Sequence, residues 1–243
     1  MIELEGRRRE LVVANRILAH ENVFDSYGHV SARHPVDPRQ FLLAASVSPG
    51  QVCEADILLY GADGDPVGGT TRAQYSERFI HAAIYARRPD VQAVVHAHTP
   101  AVLPFTVVPV ALRPVLHVAA IIGEHIPVWD MHAEFGDTDL LVTAPAHAAS
   151  LAKALGDGRV VLMRGHGFTA VAGSLELAVR VAIYLGINAQ AQAAAMALGQ
   201  VHYLSPGEVA AAEARMGSPR ATGRVWDNWA QRCGLPKTLQ VQA

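Results

Sequence analysis

Two short apolar runs constrain this chain more than anything else in it: Val91-Gln92-Ala93-Val94-Val95-His96 and Val160-Val161-Leu162-Met163. Each has the length and β-branched content of a buried strand, and such strands need other elements packed over them. The surroundings supply those elements. Residues 4–20 place Leu4, Leu11, Val12, Asn15 and Leu18 at helical spacing, with Arg7, Arg8 and Arg9 facing away. Tyr27-Gly28 ends that pattern, and His29–Arg33, Phe41-Leu42-Leu43 and Ile57–Tyr60 read as further strands, the last entering a turn at residues 61–66. Ser76 is placed to cap a helix carrying Phe79, Ile80, Ala83 and Ile84 on one face, stopped by Pro89. Residues 101–128 hold Pro104, Pro109, Pro114 and Pro127 and predict broken strand and loop. Residues 146–155 predict a helix closed by Gly156, residues 174–200 a long alanine-rich helix, and residues 209–216 and 225–231 shorter helical pieces. Strands dominate the first half and helices the second, which predicts an α/β layer sandwich.

Both runs lead to histidine. His96 and His98 stand two apart at the end of an extended segment, so their imidazoles leave the same face. His166 follows the other run between Gly165 and Gly167, where the missing Cβ atoms let the backbone approach a neighbouring element closely. A histidine pair at strand ends also occurs as two hydrogen-bonded side chains, and Gly-His-Gly as an ordinary turn. Together, three imidazoles from two strand ends make a cap that leaves positions on a divalent ion open for substrate. Glu77 lies 19 residues before His96 in the sequence, in the first turn of the predicted helix, where the dipole favours its carboxylate. His81, one turn on, either shares that face or lies at the surface.

Composition removes several function classes. The 243 residues, 51% hydrophobic, can bury about 70–75% of the unfolded surface without a disulfide or metal staple. A single domain over residues 1–243 is expected. Twenty basic against 22 acidic residues argue against a nucleic-acid-binding surface or a polybasic membrane anchor. Cys53 and Cys233 are too few and too far apart for a disulfide framework or a cysteine zinc site. The opening MIELEGRRRELVVANRIL lacks the form of a signal peptide, and the apolar runs fall short of the ~18–20 residues of a membrane span. A soluble, cytoplasmic protein is expected.

Ser76-Glu77, Ile84-Tyr85, Arg88-Pro89-Asp90-Val91, Ala93-Val94-Val95-His96-Ala97-His98-Thr99 and Arg164-Gly165-His166-Gly167 together resemble the class II aldolase/adducin family. The resemblance runs from the first helix to about residue 200, and several weak motifs in the right order are far more specific than one. It implies a three-layer α/β/α sandwich around a central, mostly antiparallel sheet of about nine strands. It also implies a homotetramer with active sites at subunit interfaces. The tail, about residues 205–243 with Trp226 and Trp229, then either reaches a neighbouring subunit's site or packs on its own chain. By the same resemblance His96, His98 and His166 take the places of the family's metal-binding histidines, with Mn, Zn, Co or Fe as the divalent metal. Glu77 takes the place of the acidic residue that acts as acid/base or as a further ligand.

The departures narrow the function. Family aldolases and epimerases hold a substrate phosphate with a Gly-Asn-x-Ser loop and a Thr-x-Ser-Gly-type loop. Here the first reads Gly28-His29-Val30-Ser31, and Ala44-Ala45-Ser46-Val47-Ser48-Pro49-Gly50 does not align to the second. The stretches around Tyr27-Gly28-His29 and Tyr75-Ser76-Glu77-Arg78-Phe79 look most like members that decarboxylate a hydroxypyridine dicarboxylate or dihydroxyphthalates. The expectation is a metal-dependent decarboxylase of a small hydroxylated aromatic or heteroaromatic (di)carboxylate. In it Glu77 is the proton donor, with a raised pKa, and His29, Arg78 and Ser31 bind substrate. The alternatives are a class II aldolase or epimerase acting on a hydroxy-carbonyl substrate, or a non-catalytic adducin-like assembly protein. The latter predicts loss of the metal histidines, all present here.

Overall fold

The computed structural model describes residues 2–234. Its elements, in chain order, are α1 (Ile2–His20), β1 (His29–Arg33), β2 (Phe41–Ala44), β3 (Ile57–Tyr60), α2 (Arg78–Arg87), β4 (Ala93–Ala97) and α3 (Pro104–Val107). They continue with β5 (Val128–Trp129), α4 (Met131–Phe135), α5 (Pro145–Leu155), β6 (Val160–Met163), β7 (Gly167–Ala172), α6 (Leu175–Leu198), α7 (Pro206–Met216) and α8 (Pro219–Arg232). The strands form one sheet in the order β3-β2-β1-β4-β7-β6-β5, antiparallel throughout except for the β5–β6 pair. Helices α1 and α6 pack on each other and on β1, β4 and β7; α2 and α5 pair on the face that carries His29, Ser31 and His96. The layered α/β expectation holds.

Seven strands are present among the described residues, not about nine. Proline cannot donate to a ladder, and residues 101–128 accordingly form α3 and a 3-10 turn at His117–Ile122 before the two-residue β5. Their backbone is satisfied instead by α6. Asn188 accepts from Val115 N–H and donates to Arg113 C=O, while Gln192 accepts from Arg113 N–H and donates to Ala111 C=O. By length and composition α6 is apolar enough to cross a membrane; in the fold it lies on the sheet with Leu175, Val179, Ala182 and Leu185 buried. Arg8 also departs from expectation, turning back to donate to the Ile57 carbonyl. The part of the tail within the described residues packs on its own chain: Trp226 and Trp229 are buried, and α8 lies against α6 and α1. Residues 235–243 fall outside the described residues.

The register of the three central strands builds the site. His29 pairs with His96, and His96 with Thr169, so one row crosses β1, β4 and β7 on one face. At the end of β4 the β6–β7 turn comes so close that a Cβ on Gly167 would lie 2.3 Å from the Ala97 carbonyl oxygen and 3.0 Å from the His98 ring. Gly165 has φ +66°, a left-handed conformation that glycine adopts without penalty. Both glycines of the Gly-His-Gly tripeptide are thus required by the backbone. Gly167→Ala is expected to destabilise the fold by about 3 kcal/mol, the upper end of ordinary overpacking, because the clashing atom is backbone. Chemical denaturation checks this, and a loss below ~0.5 kcal/mol would refute the close approach.

Candidate active site

His96 Nε2 and His166 Nε2 each stand 3.1 Å from His98 Nε2. Glu77 Oε2 is 3.4 Å from His96 Nε2 and 3.5 Å from His166 Nε2. These four atoms all lie within 4.8 Å of one another. Donors about 2.0–2.1 Å from a common centre in a tetrahedron stand about 3.3–3.4 Å apart, close to these separations.

The outer hydrogen bonds point to the same use. His166 Nδ1–H donates to the Leu140 carbonyl at 3.0 Å, and His98 Nδ1–H to Asp25 Oδ2 at 3.3 Å. His96 Nδ1 faces Thr169 Oγ1 at 3.4 Å. With the ring hydrogens on Nδ1, the Nε2 lone pairs converge on one another and on a carboxylate, which is unfavourable without a cation between them. Burial and the adjacent His96 and His166 push the His98 pKa down to about 4, so at neutral pH its ring is a lone-pair donor. The donor set fits a divalent ion of the first transition row.

Glu77 sits at the N-cap position of α2, not within its first turn, and its side chain does not cap the helix. Ser76 does not cap it either; it lines the cavity. The carboxylate turns to the imidazoles with Oε2, while Oε1 accepts the Val142 N–H at 2.9 Å. Burial alone would raise its pKa, but with hydrogens on the facing nitrogens His96 and His166 outweigh burial and hold the carboxyl far below its usual range; a cation between lone pairs and carboxylate would act in the same direction. The expected raised pKa is therefore not met in this arrangement. Glu77 is a carboxylate at the cluster, and an acid role requires it to leave the imidazoles first.

The loop at residues 138–142 supports two of the four groups, through Leu140 C=O and Val142 N–H. Leu140 takes φ +64°, costly for a branched side chain, and is held by its N–H to Thr138 Oγ1 and by the neighbouring Leu141 N–H to Asp139 Oδ1. Sequence reasoning missed this loop. Its only signal is the Asp-Thr-Asp turn chemistry at residues 137–139.

A cavity of about 680 Å³ opens over Glu77, His98 and His166, within the usual size range for a small-molecule site. Ser46, Val47 and Ser48 line it too, so the stretch that resisted alignment does face the site, and Tyr27, Gln74, Tyr75 and Asp139 contribute further polar groups. No lysine or arginine among the described residues lines it. His29 is on its wall, 2% exposed, its ring 5.0 Å from that of His96. Arg78 is not. One helical step from Glu77 turns a side chain by about 100°, and Arg78 instead donates to Gly64 C=O at 2.8 Å and pairs with Asp65 at 3.1 Å. Ser31 is not on the wall either. It lies one pleat repeat further inside β1, fully buried, with its hydroxyl 2.6 Å from His81 Nδ1 and 2.8 Å from Tyr85 OH. His81, left open between two faces, is fully buried, with Nε2 2.7 Å from His29 Nδ1. Burial pushes its pKa down to about 3 and lowers that of His29 well below its usual value.

Residues 9–193 match the family described as Class II Aldolase and Adducin N-terminal domain. The chain is 38% identical over 203 residues to decarboxylase tropJ of Talaromyces stipitatus, covering 78% of this chain and 76% of that protein. It is 34% identical over 212 residues to 3,4-dihydroxyphthalate decarboxylase of Arthrobacter keyseri, covering 79% and 82% respectively. Among solved structures, L-fuculose 1-phosphate aldolase from Glaciozyma antarctica PI12 superposes with a TM-score of 0.78 at 23% identity, over 99% of this chain and 93% of that one, a likeness of fold.

Proposed function

The chain belongs to the class II aldolase and adducin family, and on that premise we propose that it is a metal-dependent lyase that decarboxylates an ortho-hydroxylated aromatic or heteroaromatic carboxylate. The observation that carries this reading is the convergence of three imidazoles and one carboxylate beneath a cavity that no lysine or arginine lines among the described residues. A wall with serine hydroxyls, the Gln74 amide, the Tyr27 and Tyr75 rings and the Asp139 carboxylate suits a flat hydroxylated acid better than a phosphate dianion, which calls for arginine, lysine or a cluster of backbone N–H groups. Two relatives at 38% and 34% identity are named decarboxylases.

His96, His98 and His166 would hold the divalent ion, with Glu77 as fourth donor before substrate arrives. The ion supplies a Lewis acid beside the substrate's carboxylate and hydroxyl oxygens. With substrate in the cavity, Glu77 Oε2 would turn away from His96 and His166 while Oε1 keeps its Val142 N–H bond. Turned away, Glu77 retains its burial and loses the contacts that hold its pKa down, so it takes up the proton that the substrate hydroxyl gives up in becoming a phenolate. It delivers that proton to the ring carbon bearing the carboxylate, giving the keto form of the ring, in effect a β-keto acid. The carbon–carbon bond then breaks, CO2 leaves, and the electron pair returns to the ring as the phenolate reforms. His29 holds an oxygen of the bound acid. Aldol cleavage of an unphosphorylated hydroxy-carbonyl compound would use the same groups, with Glu77 as base.

A panel assay separates the two. The expected result is CO2 release from ortho-hydroxy aromatic or heteroaromatic mono- and dicarboxylates and no cleavage of fuculose or ribulose phosphates. Sugar-phosphate cleavage without decarboxylation would overturn the reading. A homotetramer belongs to this proposal, because Ile187 and Leu198, about three turns apart on one side of α6, are exposed and offer a second copy apolar contacts. The mass in solution of the preparation used in the panel tests it.

A further inference from the structure

Behind His29 runs a line of buried polar groups that the proposed chemistry does not use. His29 Nδ1 meets His81 Nε2 at 2.7 Å, His81 Nδ1 meets Ser31 Oγ at 2.6 Å, and Ser31 Oγ meets Tyr85 OH at 2.8 Å. We infer that Tyr85, Ser31 and His81 form a one-way hydrogen-bond relay that fixes His29 with its hydrogen on Nε2, so that the cavity receives a donor for an oxygen anion and not a base.

The direction follows from counting hydrogens. Each hydroxyl brings one donor hydrogen, and a neutral imidazole one. Run inward, Tyr85 O–H donates to Ser31, Ser31 O–H to His81 Nδ1, and His81 Nε2–H to His29 Nδ1. Every hydrogen then has an acceptor, and that of His29 is left on Nε2, on the ring edge that remains for the cavity. Run outward, the phenolic hydrogen of Tyr85 has no acceptor among the described residues, since Ser31 is that hydroxyl's partner and is already donating to it. Tyr85 is 6% exposed, and a stranded buried donor is costly, so the inward direction prevails. The direction of the last link does not depend on which neutral tautomer His81 would prefer alone, because only His81 Nε2–H gives His29 Nδ1 a donor.

The packing keeps the line in register. His29 and Ser31 are two residues apart on β1 and share a face, while His81 and Tyr85 are one turn apart on α2, so two strand residues mesh with two helix residues. Phe41 stacks on His81 at 6.2 Å between centroids, and Arg33 lies over the Tyr85 ring. His81, Ser31 and Tyr85 are positioning residues; His29 is the group that touches substrate. This role for His29 rests on the reading of the cavity as a site for aromatic acids, but the tautomer itself does not.

The test uses zinc-loaded full-length protein labelled with 15N-histidine. Two-bond proton–nitrogen spectra, with the His29 signals identified by their loss in His29→Gln, should show Nε2 protonated and Nδ1 bare. A hydrogen on Nδ1 with Nε2 bare would overturn the relay. His81→Phe fills the aromatic space and removes the donor. It should weaken salicylate binding about tenfold, the worth of a hydrogen bond to a charged group, with zinc content unchanged. His81→Gln keeps an amide N–H near the imidazole Nε2 position and should restore binding. Equal loss in both variants would reduce His81 to packing and overturn its positioning role. Wild-type protein that shows the Nε2–H tautomer and binds no salicylate would refute the aromatic-acid reading and leave the relay standing.

Discussion

His98→Ala is expected to purify with little or no divalent metal where the wild type carries about one ion per chain, and to lose most turnover. His98 Nε2 is the atom that both His96 Nε2 and His166 Nε2 approach to 3.1 Å, so its removal opens one corner of the donor set. Losing only the outer partner of a ligating histidine typically costs 10–100-fold in metal affinity, and losing the ligand should exceed that. Two imidazoles and Glu77 still hold an ion weakly, so saturating metal should recover part of the occupancy. His98 is a cleaner choice than His96. The His96 side chain is fully buried against His29, and its truncation would leave a cavity. The His98 side chain is 18% exposed, so the fold should survive. Metal content by mass spectrometry and affinity by competition with a chelator decide the matter. Full occupancy with unchanged affinity would remove these histidines from metal binding.

Glu77→Gln should lower the rate by ~10²–10⁴, the usual worth of a positioned acid or base. The amide keeps the size of the side chain, and its oxygen can still accept the Val142 N–H bond, so the loop at 138–142 should stay in place. What disappears is the charge beside His96 and His166 and the capacity to carry a proton to carbon. Because Oε2 stands 3.4 and 3.5 Å from those two nitrogens, metal affinity should weaken as well, while saturating metal still fills the three-histidine site. A glutamate serving only the helix dipole would contribute ~0.3–1 kcal/mol to stability and nothing to rate. Turnover and metal content measured on one preparation separate these cases. Near wild-type turnover at full occupancy would exclude Glu77 from the chemistry.

The four clustered side chains were legible in the sequence because their signals are local. Strand periodicity places His96 and His98 on one side, and a glycine on each flank frees His166 for a tight turn. Position at the start of a helix aims Glu77. The supporting groups carried no such signal. Leu140 and Val142 act through backbone atoms, so their side chains say nothing of the C=O and N–H that hold His166 and Glu77. Arg78 shows the limit from the other side. A guanidinium next to Glu77 in sequence suggests a carboxylate clamp, but the helical turn between adjacent residues sends it to Gly64 and Asp65.

Ser31 and His81 mark the boundary between the two kinds of information. Sequence alone determined that β1 and α2 form, that His29 and Ser31 share a face of the strand, and that His81 and Tyr85 lie one turn apart. Each of these follows from backbone geometry within a few residues. Only the tertiary structure decided that α2 lies over β1 with His81 between His29 and Ser31. That juxtaposition spans 50 to 54 residues and depends on how a helix packs across a pleated surface. It converts Ser31 from a group at the cavity wall into one beneath it, and it turns a histidine with two possible faces into a fully buried hydrogen-bond partner. Local periodicity specifies which way a side chain leaves its own element; what it meets there is set by the packing of layers whose order no short segment encodes.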